Sequence, residues 1–167
     1  MLYLNPVIVV TPNRSERARL NDVKCIVVHA TAGNEAGSVA WLTNKDSKVS
    51  ADVVISKTGK LYWLNPDPAR YFTWHAGLSQ WKNLAVNGRT LNPVSIGIEL
   101  VNANDGKDPY TTEQYIMLSK VVRWYRETFN IAVENIVRHS DVAPGRKTDP
   151  AGFQWECWKA LACGELR

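Results

Sequence analysis

Residues 23–30 read VKCIVVHA, a short run whose one charge sits near its start and whose centre, Cys25-Ile26-Val27-Val28, is wholly apolar. A run this short and this rich in β-branched residues, stopped by Thr31-Ala32-Gly33, predicts a strand buried on both faces. Residues 94–102 (VSIGIELVN) alternate enough to form a second core strand. Between them, VSADVVISKTGKLYWL (49–64) predicts a hairpin turning at Lys57-Thr58-Gly59-Lys60. Residues 36–45 (AGSVAWLTNK) predict a short helix with Val39, Trp41 and Leu42 on its inner side. The clearest helix spans 112–129, with Thr111 as N-cap, Gln114 at the capping-box position, and Tyr115, Leu118, Val122, Tyr125 and Phe129 at three- and four-residue intervals. A strand at 135–138 leads into His139, and a last helix starts near Gln154. Strands and helices alternate irregularly, which predicts an α/β fold: one domain over 1–167, with a central mixed β-sheet flanked by helices. The segments 65–93 and 140–153 read as irregular, and loops of that kind are where sites are built.

Composition narrows the field. With 167 residues, 45% hydrophobic and 22% charged, the chain is suited to one packed core and excludes intrinsic disorder, collagen and coiled coil. No apolar run approaches the roughly 18 residues of a membrane span, so no membrane insertion is expected. The N-terminal MLYLNPVIVVTPNR is apolar but broken by Asn5 and Pro6, and its first basic residue is Arg14. That order does not fit a signal peptide, so cytoplasmic synthesis without an export signal is expected. Cys25, Cys157 and Cys163 are too few and too scattered for a disulfide framework. Twenty basic residues against 16 acidic ones give a net charge of +4, spread singly along the chain. Without clustered Lys and Arg between the seven tryptophans, a nucleic-acid binder is excluded as the leading reading.

Chemistry can be sought among the three histidines. His29 ends the first strand, His139 follows the short one, and Asp149 lies ten residues on, across SDVAPGRKTDP. Two imidazoles and a carboxylate would make a three-ligand zinc site with a fourth position open for water. Spacing alone leaves the simpler alternative open, in which each histidine is satisfied in the core or at the surface, since no local signature such as HExxH is present.

Five segments in order, IVVHATAG (26–33), VSADVVISKTGKLYWL (49–64), WHAG (74–77), SIGIEL (95–100) and HSDVAPGRKTDP (139–150), closely resemble the zinc-dependent N-acetylmuramoyl-L-alanine amidases of the phage-lysozyme and peptidoglycan-recognition-protein superfamily. The resemblance spans about residues 20–160 and implies Zn2+ as cofactor, with His29, His139 and Asp149 as ligands. It implies Lys147 as the cation beside the developing oxyanion, Glu99 as the acid near the attacking water, and His75 as a groove residue touching substrate. The chain departs from the pattern at Ala51, where many relatives carry a tyrosine, and at Asp52, where several carry an aromatic residue or histidine. Trp74 and Trp81 flank WHAG and either line a glycan-peptide groove or pack. Arg146 is either a groove cation for substrate carboxylates or a brace of its loop. Trp124, Trp155 and Trp158 read as packing residues.

The function expected from the resemblance is hydrolysis of the bond between N-acetylmuramic acid and L-alanine, by a monomer acting on peptidoglycan or a muropeptide. A phage-type endolysin reaching the cell wall after release is the leading setting, with a cytosolic muropeptide-recycling amidase as the alternative. A non-catalytic peptidoglycan-binding module is the rival of another class, and retention of Asp149 argues against it.

Overall fold

The computed structural model describes residues 4–164, so the first three residues of the apolar N-terminal stretch and the last three of the chain lie outside it. Its strands are β1 (Val7–Ile8), β2 (Arg14–Glu16), β3 (Cys25–Ala30), β4 (Val53–Ile55), β5 (Leu61–Trp63), β6 (Tyr71–Thr73), β7 (Leu78–Trp81), β8 (Val86–Thr90), β9 (Ser95–Leu100) and β10 (Ile136–Arg138). Its α-helices are α1 (Glu35–Thr43), α2 (Thr112–Phe129), α3 (His139–Val142) and α4 (Trp155–Cys163).

Six strands form the central sheet in the order β1-β5-β4-β9-β3-β10. β3 runs parallel to both β9 and β10, β4 runs parallel to β9, and β4–β5 is the antiparallel hairpin, so the sheet is mixed. The two strands read as core, β3 and β9, are its centre, and all six residues of β3 are buried. Side chains alternate across a strand. Ile26 and Val28 of β3 and Ile96, Ile98 and Leu100 of β9 therefore join Leu118, Val121, Val122 and Tyr125 of α2 in the larger core, which Trp155 and Trp158 of α4 close. Cys25 and Val27 fall on the other face, packed with Ala76, Leu91 and Val142. Burial pushes the Cys25 thiol up to about 12, which leaves it inert.

α2 has the predicted bounds because its ends are chemically marked. Thr111 Oγ1 accepts the Gln114 N–H while Gln114 Oε1 accepts the Thr111 N–H, and Asn130 closes the helix in the left-handed region. α1 starts where Asn34 accepts the Gly37 N–H. Its inner side differs from expectation at Trp41. Leu42 is buried and Val39 packs beside it as expected, with Ser38 also buried, whereas Trp41 is 57% exposed.

The segment 65–93 is more ordered than its composition suggests. β6 pairs with β2, and β7 with β8, as two small antiparallel ribbons outside the main sheet. Their strands are short, turn-rich and largely exposed, which hides the alternation on which strand prediction relies. Arg17 ties this segment down: its Nε donates to the Pro68 carbonyl (2.8 Å) and its Nη2 to that of Ser95 (2.9 Å).

Candidate active site

β3 and β9 pair in parallel with His29 opposite Glu99, so both side chains leave the same face of the sheet near the carboxyl ends of the strands. Chain ends of this kind are where open α/β sheets place their ligands. The third element is the turn after β10. His139 begins α3 directly behind that strand, and the Ser140 N–H donates to the Asp149 carbonyl (3.0 Å), bringing the distant aspartate back beside it.

The three predicted ligands converge. His29 Nδ1 lies 2.9 Å from His139 Nδ1, His139 Nδ1 lies 3.0 Å from Asp149 Oδ2, and His29 Nδ1 lies 3.4 Å from that same oxygen. All three residues are buried, and they are the group of His, Cys, Asp and Glu side chains whose donor atoms fall together among the described residues. Ligands at about 2.0–2.2 Å around a tetrahedral zinc stand roughly 3.3–3.5 Å apart, so the observed triangle needs to open by only a few tenths of an ångström. The donor chemistry agrees. His139 Nε2 faces the Ala76 carbonyl at 3.2 Å, and because a carbonyl only accepts, Nε2 carries the proton and Nδ1 presents its lone pair. Burial, and repulsion from His139, lower His29 to about 4 despite Asp149, so the ring is neutral as a metal ligand must be. Burial opposes the charge on Asp149, but the adjoining His139 and His29 rings hold its carboxyl well below the usual carboxylate range.

These residues open into a cleft of about 380 Å³ that is also lined by Glu99, Lys147, Arg146, Asn104 and Trp41. Glu99 Oε2 is buried with no hydrogen-bond partner in the protein. Burial and the neighbouring Asp149 charge raise its carboxyl to about 8, with Lys147 acting in the opposite direction. A partly buried carboxyl of that kind, held beside a cation at the mouth of a ligand cluster, is equipped to take up and return a proton. A larger groove of about 1020 Å³ runs between α2 and α4, but it lacks such a ligand cluster, and chemistry rather than size locates the site.

Other expected residues fall in different places. Trp74 does not line the cleft, and its indole N–H donates to Ser15 Oγ (2.9 Å). Trp81, the last residue of β7, packs against the cluster of Val27, Ala76 and Leu91, and its indole N–H donates to Asn135 Oδ1 (3.0 Å). Arg146 borders the cleft, and its Nη2 holds a different segment, the 76–78 turn, through the carbonyls of Ala76 (2.9 Å) and Leu78 (2.6 Å). His75 borders the cleft but is turned inward, its Nδ1 3.0 Å from His29 Nε2 and its Nε2 3.0 Å from Ser95 Oγ. Asp52 is fully buried. It accepts hydrogen bonds from Asn65 Nδ2 (2.7 Å), Thr73 Oγ1 (2.8 Å) and the Gly97 N–H (2.8 Å), and it braces β4, β6 and β9 instead of facing the cleft. Trp41 and Asn104 are cleft residues that sequence reasoning missed, Trp41 because its place in a short helix suggested packing.

Comparison with known proteins agrees with this geometry. The family model for N-acetylmuramoyl-L-alanine amidases matches residues 19–152. The chain is 32% identical over 156 residues to N-acetylmuramoyl-L-alanine amidase AmiD of Escherichia coli K12, covering 86% of this chain and 54% of AmiD. It is 38% identical over 117 residues to 1,6-anhydro-N-acetylmuramyl-L-alanine amidase AmpD of Enterobacter cloacae, covering 68% of this chain and 57% of AmpD. The chain thus spans little more than half the length of these curated relatives. A solved structure of E. coli AmiD in complex with the substrate anhydro-N-acetylmuramic acid-L-Ala-D-γ-Glu-L-Lys superposes with a TM-score of 0.75 at 29% identity, covering 89% of this chain and 60% of that one. With the fold, the matched segments and the ligand cluster all in agreement, the chain belongs to the N-acetylmuramoyl-L-alanine amidase family.

Proposed function

We propose that this chain is a zinc-dependent amidase that hydrolyses the bond between the lactyl carbonyl of N-acetylmuramic acid and the nitrogen of L-alanine. The observation that carries the reading is the convergence of His29 Nδ1, His139 Nδ1 and Asp149 Oδ2 in a cleft that also holds the unpartnered Glu99 carboxyl. Zinc held by those three atoms would supply Lewis acidity toward the amide carbonyl and lower the pKa of a water to about 7. Glu99 Oε2 takes the proton from the attacking water and delivers it to the alanine nitrogen as the carbon–nitrogen bond breaks. The Lys147 ammonium, at the exposed rim, stabilises the negative charge that develops on the carbonyl oxygen. Trp41, exposed at the cleft wall, offers a flat apolar face to a sugar ring. Arg146 keeps the 76–78 turn in place beside the cluster.

Similarity to AmpD, named for 1,6-anhydro-N-acetylmuramyl-L-alanine, and to AmiD, solved with an anhydro-muramyl peptide substrate, supports anhydro-muropeptides as substrates, in preference to the endolysin setting expected from the sequence. The test is digestion of an anhydro-muropeptide and of intact sacculi by zinc-loaded protein, chelator-stripped protein and His139→Ala, with products identified by mass spectrometry. Free stem peptides beginning with L-alanine, released from the muropeptide by the loaded wild type alone, are expected. Comparable release from sacculi would favour the endolysin setting. No release from either, with the protein co-sedimenting with sacculi, would replace the amidase by a non-catalytic binding module.

A further inference from the structure

We propose that Ser95 and His75 form a positioning relay that fixes the tautomer of His29, so that its Nδ1 lone pair is aimed at the metal. The inference rests on the metal-site reading above and reassigns His75 from touching substrate to orienting a ligand.

The relay runs in one direction because of where Ser95 spends its single proton. The buried Ser95 hydroxyl donates to the Leu91 carbonyl at 2.8 Å, leaving its oxygen to accept from His75 Nε2 at 3.0 Å. A neutral imidazole with its proton on Nε2 has its lone pair on Nδ1. His75 Nδ1 therefore accepts, and the His29 Nε2–H, 3.0 Å away, donates to it. That leaves His29 Nδ1 unprotonated, pointing at His139 Nδ1 and Asp149 Oδ2. Run the other way, the chain would place a proton on His29 Nδ1 and block the ligand atom. On the far side of the cluster a backbone carbonyl, that of Ala76, sets His139 without ambiguity. His29 has no such carbonyl, and the Ser95–His75 pair takes its place.

His75 is seated for this role. Asn92 Oδ1 accepts the N–H groups of both His75 (3.2 Å) and Ala76 (2.8 Å), fixing the backbone. Its ring lies against Gly97, where an added Cβ would fall 2.5 Å from His75 Cγ, so only glycine leaves room for it. Both ring nitrogens are engaged within the protein, and neither is free for substrate. The three alternate residues of SIGIEL on this face thus divide the work: Ser95 directs the relay, Gly97 seats it, and Glu99 faces the reaction.

The test uses the full chain with two readouts. In metal-free wild type, imidazole 15N shifts should show His29 protonated at Nε2 and bare at Nδ1, and Ser95→Ala should mix the two tautomers. Zinc affinity, measured by competition with a chromophoric chelator, should fall about 10–100-fold in His75→Leu, the usual effect of removing an outer partner of a ligand histidine. It should fall less in Ser95→Ala. His75→Asn, whose Oδ1 still accepts from His29, should recover most of the affinity, and circular dichroism should show all three variants folded. A proton on His29 Nδ1 in the wild type, or a folded His75→Leu with unchanged affinity, would overturn the relay. Failure of wild type to bind zinc would instead overturn the metal reading, which the metal-free 15N measurement does not need.

Discussion

The two faces of β3 and β9 are made by the same twelve residues, yet they do different work. Toward α2 the alternate positions are Ile26, Val28, Ile96, Ile98 and Leu100, buried against Leu118, Val121 and Tyr125. On the other face Cys25 and Val27 pack with Ala76 and Leu91, and toward the cleft come His29, Ser95, Gly97 and Glu99, backed by the buried Asp52 and by His75. The first face gains stability from apolar surface removed from water. The second places desolvated polar groups beside one another, and they are held only because nearly every one has a partner. Glu99 Oε2 is the exception on this face, and its place beside the ligand cluster is what equips it for proton transfer, since the other unpartnered buried oxygens, the Tyr110 and Tyr125 hydroxyls, lie in the apolar core. A single pleat therefore lets one strand pair carry a rigid scaffold and a reactive site 180° apart.

Substitutions on each face should separate these roles. The largest effect is expected from His139→Ala, which removes one of three converging donors. Muropeptide hydrolysis should become undetectable and bound zinc should fall below one equivalent, both read on one preparation by product mass spectrometry and metal analysis. Glu99→Gln should lower kcat by about 10²–10⁴-fold, the range of a lost general acid–base group, with little change in zinc content. Leu118→Ala on the opposite face should destabilise by about 2–5 kcal/mol in chemical denaturation. Its kcat/KM under native conditions should stay unchanged, and loss of turnover in proportion to stability would mean the faces are not separable. Trp41→Ala should raise KM several-fold with kcat kept, since it removes a wall and no reacting group.

A pH dependence of stability separates the faces as well. In the metal-free fold, burial and the Asp149 charge push the Glu99 carboxyl up to about 8 from an ordinary value of 4.5. Between those values the folded protein holds a proton that the unfolded chain has released, so stability falls as pH rises through that window. Thermal melts of metal-free wild type should therefore lose ground to Glu99→Gln between pH 4.5 and 8, with the gap shrinking when zinc is added.

How far the sequence could be read differs between the same two regions. The apolar face was legible because periodicity is a local signal: the run 23–30, the capping box at Thr111 and Gln114, and the hairpin turn at Gly59 each appear at the predicted place. The ligand residues were visible as types, but their convergence depends on parallel pairing that brings His29 within 2.9 Å of a histidine 110 positions away. No local pattern encodes that distance, and only the ordered set of motifs pointed to it. Trp41 and His75 hold places that their local sequence does not reveal. Trp41 sits in a short helix and was expected to pack, whereas the helix leaves it at the cleft wall. His75 sits in a loop and was expected to face substrate, whereas Gly97 makes room for its ring to reach back to His29. The buried Asp52, with three donors around it, shows that the position next to the missing tyrosine has gone to structural bracing.

The most direct measurement is a zinc titration of stripped protein, following release of the L-alanine stem peptide from an anhydro-muropeptide after each addition. Activity should rise from zero in proportion to zinc and break sharply at one equivalent, with His29→Ala showing neither rise nor break. Peptide release that persists after the metal has been stripped, or wild type that takes up zinc without gaining activity, would contradict the assignment of His29, His139 and Asp149 as a catalytic metal centre.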